Sequence, residues 1–274
     1  MFRRIVVAVG RENEQALRRA GVAMAAGAGV GEARVTSFHV NPKRQGDTLD
    51  ELLQETAALE ADLLVVGARS HVTARRLAML APCSVLMVPE EDELQLERVL
   101  VPVDFSEASA EAVREGWRLA RAGDGDCTVL AVESDDEAWL DWRKQPGHLE
   151  EKLKSFVADA LGGLEPRVRR AVVPLSHSTM SLGRELHQAP RNIEGADIAT
   201  TIVGEAGKRR ATLVVMGTRG RTLAASILLG SVTEKVVQIS RVPVLAVKRD
   251  GERLGLLRGL LERLRAEQPT LVMG

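Results

Sequence analysis

A-T-L-V-V-M-G-T-R-G-R-T-L-A-A-S-I-L-L-G-S fills residues 211–231. It opens with an apolar run (Leu213 to Met216), continues through two glycines three apart (Gly217 and Gly220), and closes on a Gly-Ser pair (Gly230 and Ser231) that starts a helical pattern. A short apolar run without alternation suits a strand covered on both faces of a parallel sheet. Glycines let the backbone approach a ligand and turn successive N–H groups inward, and a helix N-terminus adds unpaired donors and positive dipole. An ordinary βα link has ~2–6 residues and this one is longer, which favours a binding loop. Strand, glycine loop and helix in that order suit a nucleotide phosphate.

Working outward, the chain repeats itself. R-R-I-V-V-A-V-G (3–10) and E-R-V-L-V-P-V-D (97–104) are strands of one kind, with Arg4 on Arg98 and Gly10 on Asp104, an offset of 94. The same offset sets Ala16 on Ala110, Ala26 on Ala120, Gly29 on Gly123, Gly31 on Gly125 and Val35 on Val129. A-D-L-L-V-V-G-A-R-S (61–70) matches 211–220 at an offset of 150, and S-V-L-M-V (84–88) matches P-V-L-A-V (243–247) at 159. Helical patterns at 12–26, 107–122, 198–208 and 232–239 separate the strands. Strand–helix alternation implies βαβ units and a doubly wound parallel α/β sheet, built twice.

The growing offset shows what the halves do not share. Between its second strand and its glycine-bearing strand, the second half holds 56 more residues. They include a helix (149–161), a further strand (167–173) and a polar segment (174–195). The first half also lacks nine residues after Gly67, within the phosphate-type loop. It reads as a trimmed copy.

Composition bounds the rest. The 274 residues carry a formal net charge of −1, without a Lys/Arg run, so no nucleic-acid partner is expected. Cys83 and Cys127 are too few for a disulfide scaffold or a cysteine-rich metal site, and a reduced, cytoplasmic setting is expected. No segment reaches ~18 uninterrupted apolar residues, so membrane insertion is not expected.

Several residues have two readings. Asp104, at a strand end, suits a ribose hydroxyl or a cation-bridged phosphate, while D-F-S (104–106) equally starts a helix with Ser106 as N-cap. S-V-T-E (231–234) reads as a capping box in which Ser231 and Glu234 serve backbone amides. That explains Ser231 without a ligand but leaves Gly217, Gly220 and Gly230 unexplained. G-A-G-V-G (27–31) follows a helix instead of a strand, and no G-x-S-x-G elbow is present. His177 and His187 read as solvated loop residues, and Trp117, Trp139 and Trp142 as packing or contact residues. Arg219 and Arg221 lie within the loop, where they would neutralise phosphate charge or simply be solvated. L-G-L-L-R-G-L-L-E-R-L-R (254–265) is an amphipathic helix that packs on its own domain or serves a dimer contact.

With G-x-x-G, nine residues and G-S at Gly217, Gly220, Gly230 and Ser231, and V-P-V-D-F-S at 101–106, the chain resembles the universal stress proteins in a tandem form. The resemblance implies an adenine nucleotide α-hydrolase-like fold, with five parallel strands ordered 3-2-1-4-5 in the second half. In the ATP-binding branch it implies ATP, with or without Mg2+, at the sheet's switch point. Carried over by position, Asp104 approaches ribose or triphosphate, Pro102, Val103 and Val132 line the adenine side, and Met216 flanks base or ribose. Gly217, Gly220, Gly230, Ser231 and Val232 hold the phosphates.

Gly10 replaces the aspartate and Ser70 the second glycine in the first half, so one site per chain is expected. The expected divisions are a degenerate domain at 1–92, a nucleotide-motif domain at 97–249, and a helix and tail at 250–274. The family also pairs domains through their last strands, here 84–88 and 244–247. The expected role is regulatory, in stress response, with at most slow ATP hydrolysis, since no general base stands out. A non-binding scaffold for an unknown protein partner is the rival reading, and a homodimer stays open.

Overall fold

Nine strands form one sheet, and seven helices cover it, among the described residues. In the computed structural model the elements are β1 (Arg4–Val9), α1 (Glu14–Gly27), β2 (Arg34–His39), α2 (Asp47–Ala58), β3 (Leu63–Gly67), α3 (His71–Leu80) and β4 (Ser84–Val88). These are followed by β5 (Arg98–Val103), α4 (Glu107–Ala122), β6 (Asp126–Glu133), α5 (His148–Leu161), β7 (Val168–Pro174), α6 (Ile193–Lys208), β8 (Leu213–Gly217), α7 (Ser231–Ile239) and β9 (Val244–Val247). The structure describes residues 2–9, 14–27, 34–39, 47–67, 71–89, 94–133, 147–163, 165–175, 193–218 and 230–248. Most of the polar segment 174–195, and all of 250–274, lie outside them.

The sheet order is β2-β1-β3-β4-β9-β8-β5-β6-β7. The five strands of the second half stand as 3-2-1-4-5, as expected, and the first half has the same order without the third strand. Every pairing is parallel except β4 with β9, where Val85, Leu86 and Met87 meet Ala246, Leu245 and Val244. The last strands of the two halves thus cover each other's edge, which would otherwise present a row of unpaired amides and carbonyls.

Alternation along each strand feeds two cores, because successive side chains point to opposite faces. Ile5, Val7 and Val9 join Leu63, Val65, Val99 and Val101 beneath α1, α4 and α5. Val6, Ala8, Leu64 and Val66 join Leu100, Val214 and Met216 beneath α2, α3, α6 and α7. Both cores run unbroken across the middle of the sheet. Burial on both faces is why these strands read as continuous apolar runs.

The offsets reappear as register. Ile5 pairs with Leu63 as Val99 pairs with Leu213, and Leu64 pairs with Val85 as Val214 pairs with Val244. The central antiparallel pair, Leu86 with Leu245, joins positions 159 apart, the same offset that relates the strands in sequence. Corresponding glycines press helix on sheet, since a Cβ at Gly21 would lie 2.8 Å from Val7 and one at Gly116 would lie 2.5 Å from Val101. Two sets of matches need correcting. Gly21 and Gly116, which cover Val7 and Val101, stand 95 apart and not 94, so Ala16 and Ala26 fall on Glu111 and Arg121 instead of Ala110 and Ala120. Val35 pairs with Ile5 but Val129 pairs with Val101, so Ser37, not Val35, is the partner position of Val129. The slip is two residues, and a two-residue slip keeps every side chain on its face, which hides it from sequence patterning.

Two further contacts lock the middle. A Cβ at Gly27 would lie 3.1 Å from Leu119 and 3.7 Å from the Cβ of Ala122, so α1 and α4 cross closely. Arg118 donates to the Gly27 carbonyl, pairs with the buried Glu115 and lies 5.6 Å over the Phe2 ring. On the opposite core, Lys248 is 3% exposed. Its ammonium donates to the carbonyls of Met79 and Ala81 at the end of α3, where the helix dipole favours a cation.

Glycine is needed for space at Gly125, where a Cβ would fall 2.3 Å from the Glu97 carbonyl oxygen, and not at Gly204 in α6, which faces open space. Gly125→Ala is expected to cost about 1–3 kcal/mol by overpacking. Gly204→Ala is expected to stabilise by up to about 1 kcal/mol through helix propensity. Urea denaturation of the two variants reads the contrast.

Candidate functional site

Chain order reverses at β5, which has β6 on one side and β8 on the other, and the carboxyl ends of such strands are where open α/β sheets bind ligands. The two halves differ there. The β1–β3 ladder runs on through Val7↔Val65 and Ala8↔Val66, whereas the matching β5–β8 ladder stops at Leu100↔Val214. On its other side β5 stays paired with β6 as far as Val103↔Ala131. Pro102, which stands where β1 has Ala8, has no N–H to give a ladder. The hydrogen-bonded ladder at the switch point of the second half is therefore shorter by two residue pairs than that of the first.

Asp104 follows the last residue of β5, beyond the end of that ladder. Its Oδ1 accepts from the Ser106 amide at 3.0 Å and the Ser106 hydroxyl at 2.6 Å. Ser106 caps α4, accepting from the Ser109 amide at 3.2 Å, so the capping reading of D-F-S holds. Between them Phe105 is turned into the left-handed region (φ 63°), which is costly for a bulky side chain. Its ring is held edge-on by Phe156 at 5.4 Å, with the Lys152 ammonium 4.2 Å over it. The carboxylate is thus fixed by a strained, well-supported turn. Sequence reading passed over Phe105, because nothing in D-F-S signals a left-handed residue.

Gly217 brings three elements together. A Cβ there would lie 2.8 Å from the backbone carbon and oxygen of Ala108, so β8 ends against the first turn of α4, next to the Asp104 turn. The Gly217 carbonyl accepts from the Thr233 hydroxyl at 2.9 Å, which ties it to the first turn of α7. The next residue, Thr218, donates its amide to the Val247 carbonyl at 3.1 Å, and its own carbonyl accepts the Gly230 amide at 2.9 Å. The two ends of the glycine loop are therefore clasped to each other. Thr218 and Thr233, which do this, went unread in the sequence, where Thr233 passed as a spacer in the S-V-T-E pattern.

The capping box itself is corrected. Gly230 is the N-cap of α7, with no side-chain cap, and Ser231 is already the first helical residue, with its side chain exposed. The first intrahelical bond, from the Glu234 amide to the Gly230 carbonyl at 2.9 Å, leaves the Ser231, Val232 and Thr233 amides at the helix head, outside the helical ladder. Gly230 has φ −58°, open to any residue, so its backbone angle does not demand glycine. Its amide is taken by Thr218, so what it offers a ligand is room.

The other expected residues fall as follows. Pro102 is buried and Val103 half-buried on β5, Val132 is half-buried on β6, and Met216 is 5% exposed on β8. Gly220, Arg219, Arg221, Gly10 and Ser70 lie outside the described residues. Cys127, on β6, is no nucleophile, since burial pushes its thiol up to about 12. Among the described residues no cluster of His, Cys, Asp and Glu is of a kind to hold a metal, and no helix is long and apolar enough to cross a membrane.

The profile of the universal stress protein family matches residues 95–248. A universal stress protein of Methanocaldococcus jannaschii is 30% identical over 154 residues, covering 56% of this chain and 82% of that protein. One from Mycobacterium tuberculosis is 29% identical over 176 residues, or 61% of this chain, which spans about half (52%) of its length. Among solved structures, a universal stress protein from Pseudomonas aeruginosa has a TM-score of 0.63 at 18% identity, covering 95% of this chain and 98% of that one. One from Archaeoglobus fulgidus has a TM-score of 0.54 at 15% identity, covering 89% and 96%. At these identities the structural likeness is one of fold.

Ser106 both caps α4 and holds Asp104. Ser106→Ala is expected to cost about 1 kcal/mol of stability, and Ser106→Asp, which can cap but brings a second carboxylate, to recover part of it. Chemical denaturation of the two variants checks this.

Proposed function

Because this chain belongs to the universal stress protein family, we propose that it binds ATP, with or without Mg2+, at one site, in its second half, and acts as a regulatory protein of stress response. The observation that carries this is the shortened β5–β8 ladder, with Gly217 at the end of β8 tied to the first turn of α7, set against the longer β1–β3 ladder. On this reading a base and ribose enter where that ladder stops, between Pro102, Val103, Val132 and Met216. The amides of Ser231 and Val232 supply donors and positive dipole for phosphate. Gly230 and Gly220 supply room, and Asp104 supplies a fixed carboxylate for a ribose hydroxyl or a phosphate-bound cation. These residues fit the nucleotide in kind. No general base is evident in this set, so the protein is read as a binder and not as an efficient hydrolase.

The matching registers and the self-pairing of Leu86 with Leu245 support a tandem arrangement. On that reading residues 1–92 form a degenerate domain that supports the second, residues 97–249 carry the site, residues 250–274 form an appended segment, and the protein acts in the cytoplasm. A second reading, a scaffold without nucleotide, gains from two observations. Gly217 is explained by its packing on Ala108, and the Gly230 amide is spent on Thr218.

Titration calorimetry separates the two. One ATP per chain is expected, and ATP at ~100 times its dissociation constant should stabilise the fold by ~2.7 kcal/mol. Gly230→Val is expected to abolish binding while leaving the unliganded melting temperature within a few degrees, since φ −58° accepts any residue. Wild-type affinity in that variant refutes the loop assignment, and no heat or thermal shift with the native chain establishes the scaffold.

A further inference from the structure

In the second half a helix and a strand finish the sheet: α5 lies along α4, and β7 pairs with β6 through seven residues, Cys127↔Val168 to Glu133↔Pro174. The described residues of the first half hold no such unit. With Gly21 matching Gly116, Val22 matches Trp117. Trp117 is buried in the cluster that also holds Leu153 and Val157 of α5, while Val22 is 59% exposed, an exposed large apolar side chain among the described residues. β2 is half-exposed along its length (Val35, Thr36, Ser37 and Phe38), and β1 is its one strand neighbour among the described residues. The two ends of the sheet are also finished differently. β7 carries exposed Arg169 and Arg170 and ends on Pro174, devices that blunt an edge, and β2 has charge only near its ends.

The chain itself contains a helix-then-strand sequence beyond the family match, which stops at 248. Leu254, Leu257, Leu261 and Leu264 fall on one helical stripe, and T-L-V-M (270–273) follows Pro269 as a short β-prone run. We propose that residues 254–265 dock as a helix on the Val22 flank of α1 and that residues 270–273 add a strand to the open edge of β2, so that this segment finishes the first half as α5 and β7 finish the second.

Reach and direction allow it. From β9 to β2 is four strand spacings, about 19 Å, and the six Cα-to-Cα steps from Lys248 to Leu254, fully extended, span about 20–22 Å. β9 runs opposite to β4, so the chain leaves Lys248 at the end of the sheet where β1 and β2 begin. A helix starting there climbs antiparallel to α1, and the strand returns antiparallel to β2, a common arrangement at the edge of a parallel sheet. The inference stands apart from nucleotide binding.

The test uses the full chain with Val22→Cys paired in turn with Leu257→Cys, Leu261→Cys or Leu264→Cys. Cys83 and Cys127 are buried and stay in place. Under mild oxidation at least one pair is expected to form a disulfide within the chain, seen as a faster monomer on non-reducing electrophoresis. Hydrogen exchange is the second readout. Leu257→Asp with Leu261→Asp should speed exchange of residues 34–39 by about tenfold or more and leave residues 98–103 unchanged. A disulfide that forms only between chains makes a second copy the occupant and overturns the proposal. So does the absence of any disulfide, or exchange at 34–39 that ignores the aspartates.

Discussion

Three antiparallel residue pairs between β4 and β9 hold the rest of this structure in place. A parallel sheet of either half alone would end in an open strand at this point, and each half closes the other's. Because the join is made in the plane of the sheet, both layers of helices continue across it. The apolar cores above and below are therefore common to the two halves. Lys248 and Arg118 then pin the helix layers at the same place, each by donating to carbonyls at the end of a helix from the opposite half. Burying an ammonium is expensive unless its donors are satisfied, and the carbonyls of Met79 and Ala81 do part of that. The position of every other element follows from this seam.

Against that shared frame the two switch points differ. In the first half the ladder runs on to Ala8 opposite Val66; in the second Pro102 withholds an amide and the ladder stops at Leu100 opposite Val214. β8 is caught instead by α4, where Gly217 meets Ala108, and by α7 through Thr233 and Thr218. One glycine thus joins the end of β8 to two helices. Asp104 stands at the end of β5 on a strained turn, and strain of this kind persists only where surrounding contacts over-determine it, as Phe156 and Lys152 do here.

Most of the fold was legible because parallel strands buried on both faces leave uninterrupted apolar runs, and because the repeat set their phase. Even the missing third strand of the first half could be read from the length between Val35 and Gly67. What escaped was of two kinds. A two-residue slip between β1/β2 and β5/β6 preserves the alternation of faces, so Val35 and Val129 looked equivalent when Ser37 holds the place. Local backbone geometry also escaped. S-V-T-E satisfies the capping-box pattern, but the chain enters α7 one residue earlier, at Gly230, and Ser231 becomes a helical residue. At the site, the glycines were read by what they could give a phosphate, whereas Gly217 answers first to a neighbouring helix.

Where α1 crosses α4, Gly27 lies against Ala122, and these positions are 95 apart, the same separation as Gly21 and Gly116. In an association of identical chains about a two-fold axis, residues meeting at the axis must be the same on both sides, and any substitution there acts twice. Joined in a single polypeptide, the two sides are spelled separately, so one may keep a glycine while the other gains a methyl group. Each change near the axis can then be accepted or rejected by itself. Unequal halves are open to such a chain.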